Sequence, residues 1–514
     1  MGLALNCSKI LKEILVQNDH ITILNISKNL IGDQGIEIIS SAFPLSVSLF
    51  HLDISSNSIT WKGAFHLFQY LRKNETLACL NLSSFPRCPK NNFSELNKTL
   101  IIDYLASTNQ LLFLELNNCF MVDSSIECLG KGMIKNQSII KIDLSNNLFT
   151  ENCAKSVVQI LKASKLHTLH ISGNQFKNYF KSEVAKFLYR SNQIFCKKIY
   201  FCKCGFTEYL NQDFFISLVN VPSINALYFD KNNFASSNSY LQYLFMNTLN
   251  LKHLSLSYCF LNDDSMNQIS FGLKVCQSIS SINLSNNFIS DPGIILLCGA
   301  LFENFGRINR LDISFNKIND ESCIHISELI NIDYPLYYLN LTGNNISSLG
   351  GEKIAFAVKK NNFIIYLELK ANLIDQPVLN EIQLFIMKNI NKIKTKKHNT
   401  IEDYIQENVN VTDDCKHVED KMNKINFQNN FERQNIEKLK KIIENLESSS
   451  SSAQLLTQLD LLEKENSDFD LILDQMNKSI LEIGFKNLEE GNLKTKIMNL
   501  EEEKQILLRR SFII

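Results

Sequence analysis

Residues 279–293 read ISSINLSNNFISDPG. Ile282 and Leu284 stand two apart, so in an extended chain both side chains fall on one face. Asn287 follows three residues later, where its amide can bond the backbone of an adjacent turn. Asp291, Pro292 and Gly293 then read as a helix start, with Asp291 as cap and Pro292 as first residue. The following IILLCGALF is apolar enough to bury that helix.

Taken as L-x-x-L-x-L-x-x-N, with other apolar or small residues allowed, the phrase returns along the chain. Its last slot falls at Asn29, Asn57, Phe85, Cys119, Asn147, Asn174, Cys204, Asn232, Cys259, Asn287, Asn316, Asn344 and Asn372. The intervals are 28, 28, 34, 28, 27, 30, 28, 27, 28, 29, 28 and 28 residues. So steady a period identifies a repeat architecture. Each unit supplies one short strand, one turn and one helix of about ten residues, such as GIEIISSAF and GAFHLFQYLRKN. Stacked, the slot residues form an asparagine ladder. Cys119, Cys204 and Cys259 can enter it as small S–H donors, whereas Phe85 cannot donate and is expected to interrupt it. Helices are wider than strands, so the stack curves into a horseshoe with a parallel sheet inside and helices outside.

These repeats resemble the ribonuclease-inhibitor-like class of leucine-rich repeats over about residues 21–390. The resemblance implies an α/β solenoid that binds proteins. Members of the class include inhibitors, innate sensors, a GTPase activator, actin regulators and ciliary or centrosomal proteins, so it specifies fold far more than function. Residues 1–20 are expected to form an N-terminal capping helix, and LIDQPVLNEIQLFIMKNI a closing one.

A different grammar follows. Residues 391–430 read as a polar linker with helical stretches, opening on KIKTKKHNT. Residues 431–514 carry broken heptads: Ile436, Leu439, Ile443 and Leu446, then five serines (448–452), then Leu459 to Ile483 in a new phase with Asn466 at the seam, a slip bracketed by Gly484 and Gly491, and Ile497, Leu500 and Leu507. This is coiled-coil spacing with interruptions, which predicts a homodimer or tether through the tail. The alternatives are loose amphipathic helices or a hairpin folding at the serines. Repeats followed by a coiled coil also resemble some centrosomal and basal-body proteins.

Bulk composition excludes several classes. The 514 residues carry a net charge of −1, so there is no global basic field for nucleic acid or anionic lipid. No run is apolar enough for a membrane span. MGLALNCSKILKEIL lacks the basic start of a signal peptide, and Gly2 lacks the Ser or Thr at position 6 that myristoylation wants. The 14 cysteines follow no framework spacing, as expected of reduced thiols in a cytoplasmic protein.

No catalytic set is found. GKGM (130–133) is not a P-loop, and neither HExxH nor GxSxG occurs. In CKKIYFCKC, register points Cys196 and Cys204 into the core and Cys202 elsewhere, with no histidine to complete a zinc site. GTPase activators of the resembling class use an early arginine on a repeat loop; here the first arginine, Arg72, falls on a predicted outer helix. Cys415 lies in a tail too short for a ligase domain. No cofactor is expected.

What remains is the face between the fixed positions. Most of it is Ser, Asn, Asp and Lys, but Tyr200 and Tyr228 lie between inner apolar sites, and Tyr338 and Tyr366 just before them. Tyr258 and Phe315 stand just before the ladder slot, with His253 and Arg310 among them. Aromatics and Arg are typical binding anchors, and thirteen strands would span roughly 60 Å, a span suited to a protein or peptide. Isolated exposed aromatics are also ordinary. PRCPKNN (86–92) is a second candidate surface, or simple loop drift. The expectation is a non-catalytic, cytoplasmic scaffold that captures a protein on the concave face. The alternatives are a cytoskeletal component and an enzyme inhibitor or GTPase regulator.

Overall fold

The computed structural model describes residues 2–95, 98–176, 178–189, 194–206, 212–235, 238–332 and 334–396. The linker beyond 396 and the heptads of the tail lie outside these residues. Residues 1–391 form one compact unit.

Within it the repeated triplets form strands β1 (Ile23–Asn25), β2 (His51–Asp53), β3 (Cys79–Asn81), β4 (Phe113–Glu115), β5 (Lys141–Asp143), β6 (Thr168–His170), β7 (Lys198–Tyr200), β8 (Ala226–Tyr228), β9 (His253–Ser255), β10 (Ser281–Asn283), β11 (Arg310–Asp312), β12 (Tyr338–Asn340) and β13 (Tyr366–Glu368). They pair in sequence order as one parallel sheet. The register never slips: each middle residue faces the middle residue of its neighbours, as Leu254, Ile282 and Leu311 do. From β2 to β12 that middle residue is buried. A helix packs behind most strands, so one continuous apolar core runs from Leu15 to Ile382. Strands sit about 4.8 Å apart and packed helices about 8–10 Å apart, so the helix side must be the longer arc. A helix over Gly2–Gln17 precedes β1, and one over Gln376–Lys396 follows β13.

Strands of three residues leave most turn backbone outside the sheet, and the ladder satisfies it. Asn287 Oδ1 accepts from the N–H groups of Cys259 and Leu261 at 2.9 and 3.1 Å. Its Nδ2 donates to Leu256, Leu284 and Ser285 carbonyls at 2.9, 2.9 and 3.1 Å. One amide thus closes its own turn and ties it to the preceding repeat. Cysteine reproduces half of this. Cys119 Sγ reaches the Leu82 carbonyl at 3.2 Å and Cys259 Sγ that of Phe229 at 3.4 Å. Burial pushes both thiols up, which keeps the proton they donate. A thiol cannot replace Oδ1, so the Phe93 and Phe234 N–H groups turn instead to the backbone carbonyls of Cys119 and Cys259.

The expected interruption at Phe85 does not occur. Asn91, not Phe85, fills the third slot. Its Oδ1 accepts from Asn57 N–H and Ile59 N–H at 3.0 and 2.9 Å, and its Nδ2 donates to the Leu82 carbonyl at 2.8 Å. Asn91 is fully buried, while Phe85 is 38% exposed with Lys28 Nζ 4.3 Å from its ring centroid. The six extra residues therefore lie between strand and slot, and the 34-residue interval runs from Asn57 to Asn91.

The helix starts differ from expectation as well. Asp291 does not cap its own helix, Asp291–Glu303, whose N-cap is Ser290. It caps the next one. Its carboxylate accepts from Asn319 N–H at 2.9 Å, Asn319 Nδ2 at 2.9 Å, Ser322 N–H at 3.1 Å and the Ser322 hydroxyl. Asp33 does this for Thr60 and Gly63, Asp263 for Ser290 and Gly293, and Asp320 for Ser347. First-turn aspartates already sit favourably in their own helix dipole, and here each also serves its neighbour. At the opposite helix ends asparagines reach back: Asn136 Nδ2 bonds the Leu105 carbonyl at 2.7 Å, and Asn304 Nδ2 that of Leu273 at 2.7 Å.

Two measurements follow from these ladders. Asn91→Ala strands buried backbone donors and should lower unfolding free energy by about 2–4 kcal/mol, whereas Phe85→Ala should cost under about 1 kcal/mol. Thermal melts showing the reverse order would return the slot to Phe85. Desolvation raises the Asp291 carboxyl, but its Ser322 and Asn319 hydrogen bonds outweigh that and hold it below the usual range. Its contribution is therefore present above the unfolded value near 3.9 and lost as pH falls through the folded one. Asp291→Asn should destabilise at neutral pH, with a deficit that shrinks on acidification below about pH 4.

Candidate functional site

Because the middle residue of each triplet enters the core, its first and third residues present two rows on the opposite face. In-register parallel strands bring equivalent residues close together, so flat side chains in one row must stack.

This divides the sequence-predicted residues into groups. In the third-residue row, Tyr200 and Tyr228 stack with His170, which sequence reasoning had not singled out. Ring centroids are 3.9 Å apart for His170–Tyr200 and 4.0 Å for Tyr200–Tyr228, with planes within 8° and 3°. Both tyrosines are 8% exposed. They form one slab over β6–β8 rather than separate anchors. The Tyr228 hydroxyl has no hydrogen-bond partner among the described residues. In the first-residue row, Arg310 lies on Tyr338, Cζ 3.8 Å from the ring centroid, and Tyr338 stacks on Tyr366 at 4.4 Å and 5°. Burial pushes the Tyr338 hydroxyl up, against the pull of Arg310.

His253 stands between the two stacks. Desolvation pushes it down to about 3, helped by the positive charges of Lys198, Arg310 and Lys252. Carboxylates lie toward the other side: Asp143 is the third residue of β5, and Asp230 stands two places past Tyr228. Asp143 is held below the usual range: burial acts to raise it, but His170, Lys141 and two bonds from Ser145 outweigh that. Asp230 is pushed up by burial despite accepting from Ser255 at 2.5 Å and Ser257 N–H at 2.8 Å.

Tyr258 and Phe315 belong to neither row. They lie on the loops that leave β9 and β11, at the rim, each 51% exposed. Sequence reasoning missed two rim partners, Phe260 and Phe288, which are 51% and 48% exposed with centroids 6.0 Å apart. Lys231 Nζ lies 5.6 Å from the Tyr258 centroid and Lys317 Nζ 5.1 Å from that of Phe288. The backbone here is unusual. Tyr258, Phe260 and Phe315 have φ of 55°, 60° and 52°. At the pre-slot position of Tyr258 and Phe315, other repeats carry Asn118, Asn146, Asn286, Gly173 and Gly343, which adopt the left-handed region at lower cost, but also Lys28, Ser56, Lys203, Lys231 and Ala371; Phe260, like Phe120, lies one place after its slot.

Elsewhere, Cys196 and Cys204 are fully buried in the core, and Cys202 packs against the tyrosine slab. Arg72 closes the helix Trp61–Leu71, with Asp103 at 4.0 Å. No described helix is long and apolar enough to cross a membrane.

A family model described as "Leucine Rich repeat" matches residues 17–40, 275–298, 308–327 and 336–355. Among curated proteins, the chain is 24% identical over 322 residues to NACHT, LRR and PYD domains-containing protein 5 of Mus musculus, covering 57% of this chain and 28% of that protein. It is 29% identical over 150 residues to NACHT, LRR and PYD domains-containing protein 13 of Homo sapiens, covering 29% and 14%. It is 25% identical over 149 residues to ribonuclease inhibitor of Sus scrofa, covering 29% and 33%. The matched region thus spans a third or less of these proteins' own length. Among solved structures, an internalin of Listeria monocytogenes aligns over 71% of this chain and 94% of its own, with TM-score 0.38 and 17% identity.

The charge around His253 has a measurable consequence. Its depressed folded value means the unfolded chain binds the extra proton first. Stability from its neutral form is complete above the ordinary value near 6.5 and erodes as pH falls toward about 3. NMR titration should find the ring neutral at pH 5, and His253→Gln should flatten the stability profile between those limits. A ring titrating near 6.5 would contradict this electrostatic picture.

Proposed function

We propose that this chain, whose repeats are similar to leucine-rich repeats and to ribonuclease inhibitor, is a protein-binding scaffold that captures a protein partner on the face of β6–β13 and the adjoining rim, without catalysis. The observation that carries this is the rim. Three large aromatics, Tyr258, Phe260 and Phe315, are half exposed in a left-handed backbone conformation. Each costs about 1–2 kcal/mol relative to a right-handed residue. Asn or Gly, which fill the pre-slot position in five other repeats, would adopt that backbone at less cost. Aromatics at a strained, exposed position are accounted for by what they contact in a partner. Beside them the slab His170–Tyr200–Tyr228 and the stack Arg310–Tyr338–Tyr366 are rigid before binding. A partner meeting them loses little side-chain entropy. Self-association or tethering through the heptads of residues 431–514 belongs to the same reading and rests on their spacing.

The two demands on the rim separate in a double test. Tyr258→Asn should leave stability unchanged or raise it by up to about 1 kcal/mol, because Asn suits the left-handed region. The same variant should lose partners that wild-type protein retains in a cross-linking capture, while Phe356→Ala on an outer helix keeps them. If Tyr258→Asn captures the same proteins as wild type, the rim is not the binding site.

A further inference from the structure

Between Ile294 and Phe302 the outer helix Asp291–Glu303 reads IILLCGALF, with no polar face. A helix apolar all round belongs in an interior. Its inner side is buried at Ile294, Leu297, Cys298 and Leu301. Leu296 and Phe302 nevertheless face outward, 40% and 54% exposed. Gly299 lies between them, one turn from each. The two glycines of this helix have different causes. A Cβ on Gly293 would meet Asp263 Oδ1 at 2.5 Å, so packing requires glycine there. A Cβ on Gly299 would meet no described atom within 4 Å, and alanine would suit the helix better. The fold gives no reason for this hollow.

Phe271, 55% exposed, holds the equivalent place one repeat earlier: it is 12 residues past the slot Cys259, as Gly299 is past Asn287. The helices Asp263–Leu273 and Asp291–Glu303 pack side by side, so a projecting ring stands beside a hollow. The charges at this place, Lys274 and Glu303, are paired at 2.7 Å. Leu249, Val275 and Phe305 follow the ends of three successive helices and are each at least 49% exposed. With Phe271, Leu296 and Phe302 they offer roughly 600–700 Å² of apolar surface. That exceeds the largest apolar patch of most monomers and approaches the ~800 Å² each partner buries in a standard complex.

We propose that this outer surface is an interface between two copies of the chain. In a twofold contact, residue i of one copy meets j of the other and j meets i. Phe271 of each copy then enters the hollow at Gly299 of its partner, and Lys274 and Glu303 exchange partners across the axis. A surface that carries its own knob, its own hollow and one charge of each sign is complementary to itself. The contact does not involve the heptads of the tail. It uses the helix side of the repeats and leaves the inner faces of both copies open, so a dimer presents two capture sites together.

The test mixes two full-length variants, Phe271→Cys and Gly299→Cys, and treats them with a short bismaleimide. Each carries only one of the two new thiols, so a link between positions 271 and 299, mapped by peptide mass spectrometry, joins two molecules. That link is expected. Adding Phe302→Asp to both variants buries a charge in the contact and should lower the yield roughly tenfold or more. Phe302 is half exposed in the single chain, so the melt should stay like that of wild type. A wild-type chain that sediments as a monomer at every concentration overturns the proposal. So does the absence of a 271–299 link, which is the result if the tail alone holds a dimer or another protein's helix fills the hollow. A yield that Phe302→Asp leaves unchanged overturns it as well.

Discussion

One slot side chain per repeat, an asparagine amide everywhere but at Cys119, Cys204 and Cys259, holds this molecule in register. A strand of three residues cannot define a sheet, since it offers too few backbone bonds to resist slipping by a residue. The slot asparagine compensates by being acceptor for two N–H groups of one repeat and donor to carbonyls of two. Asn57 and Asn91 are fully buried, and Asn147 and Asn287 nearly so. An unmade bond there would carry the full desolvation penalty. The constraint propagates: with every slot tied to its neighbour, every first and third strand residue comes to a fixed place on the inner face.

The helix side is bound by the same logic in different chemistry. A free helix leaves orphan donors at its start and orphan acceptors at its end. Here the donors of several helices find an aspartate of the previous repeat, as at Asp33, Asp263, Asp291 and Asp320, and acceptors find an asparagine of the following one, as at Asn136 and Asn304. Some helices also carry caps of their own, as Asn262 does for Ser265 N–H, but the ends bonded across repeats are satisfied only when the neighbours are present. Stability of such an array is a nearest-neighbour property. Cysteine in the slot at Cys119, Cys204 and Cys259 shows how far the ladder tolerates change. The donor half survives as S–H, and the acceptor half is taken over by the main chain.

Much of this was legible in the sequence. The period marked the strands, their inward residues and the open face, because those positions obey a strict alternation. Phe85 was misplaced because counting fixed the interval from the strand, and an insertion between strand and slot breaks that count. A signal for Asn91 was nevertheless present. Every true slot has an apolar residue two places on, such as Ile59, Phe93, Met121, Phe149 and Ile289, each buried under its turn. Arg87, two places after Phe85, breaks that rule. Asp291 was assigned to its own helix because a single sequence shows local partners only, whereas its hydrogen bonds are made about 30 residues away.

The face itself divides along the same line between local and non-local information. Which residues point inward followed from alternation. That Tyr200, Tyr228 and His170 make one slab depended on register between repeats, which only the ladder sets. Phe260 and Phe288 escaped because they lie outside the strand motif, one place after the slot. The strain at Tyr258 and Phe315 becomes visible only when pre-slot positions are compared across repeats, where Asn and Gly recur at Asn118, Asn146, Gly173, Asn286 and Gly343 beside Lys28, Ser56, Lys203, Lys231 and Ala371. The ladder demands a left-handed residue at nearly every repeat and is indifferent to its side chain. The repeats that fill this position with Lys, Ser, Ala or an aromatic therefore do so against their own backbone preference. The aromatic ones, Tyr258 and Phe315, follow β9 and β11, beside the tyrosine stacks. The left-handed position is therefore set by the ladder at every such repeat, and the side chain it carries is left free to vary, with its two aromatics at Tyr258 and Phe315.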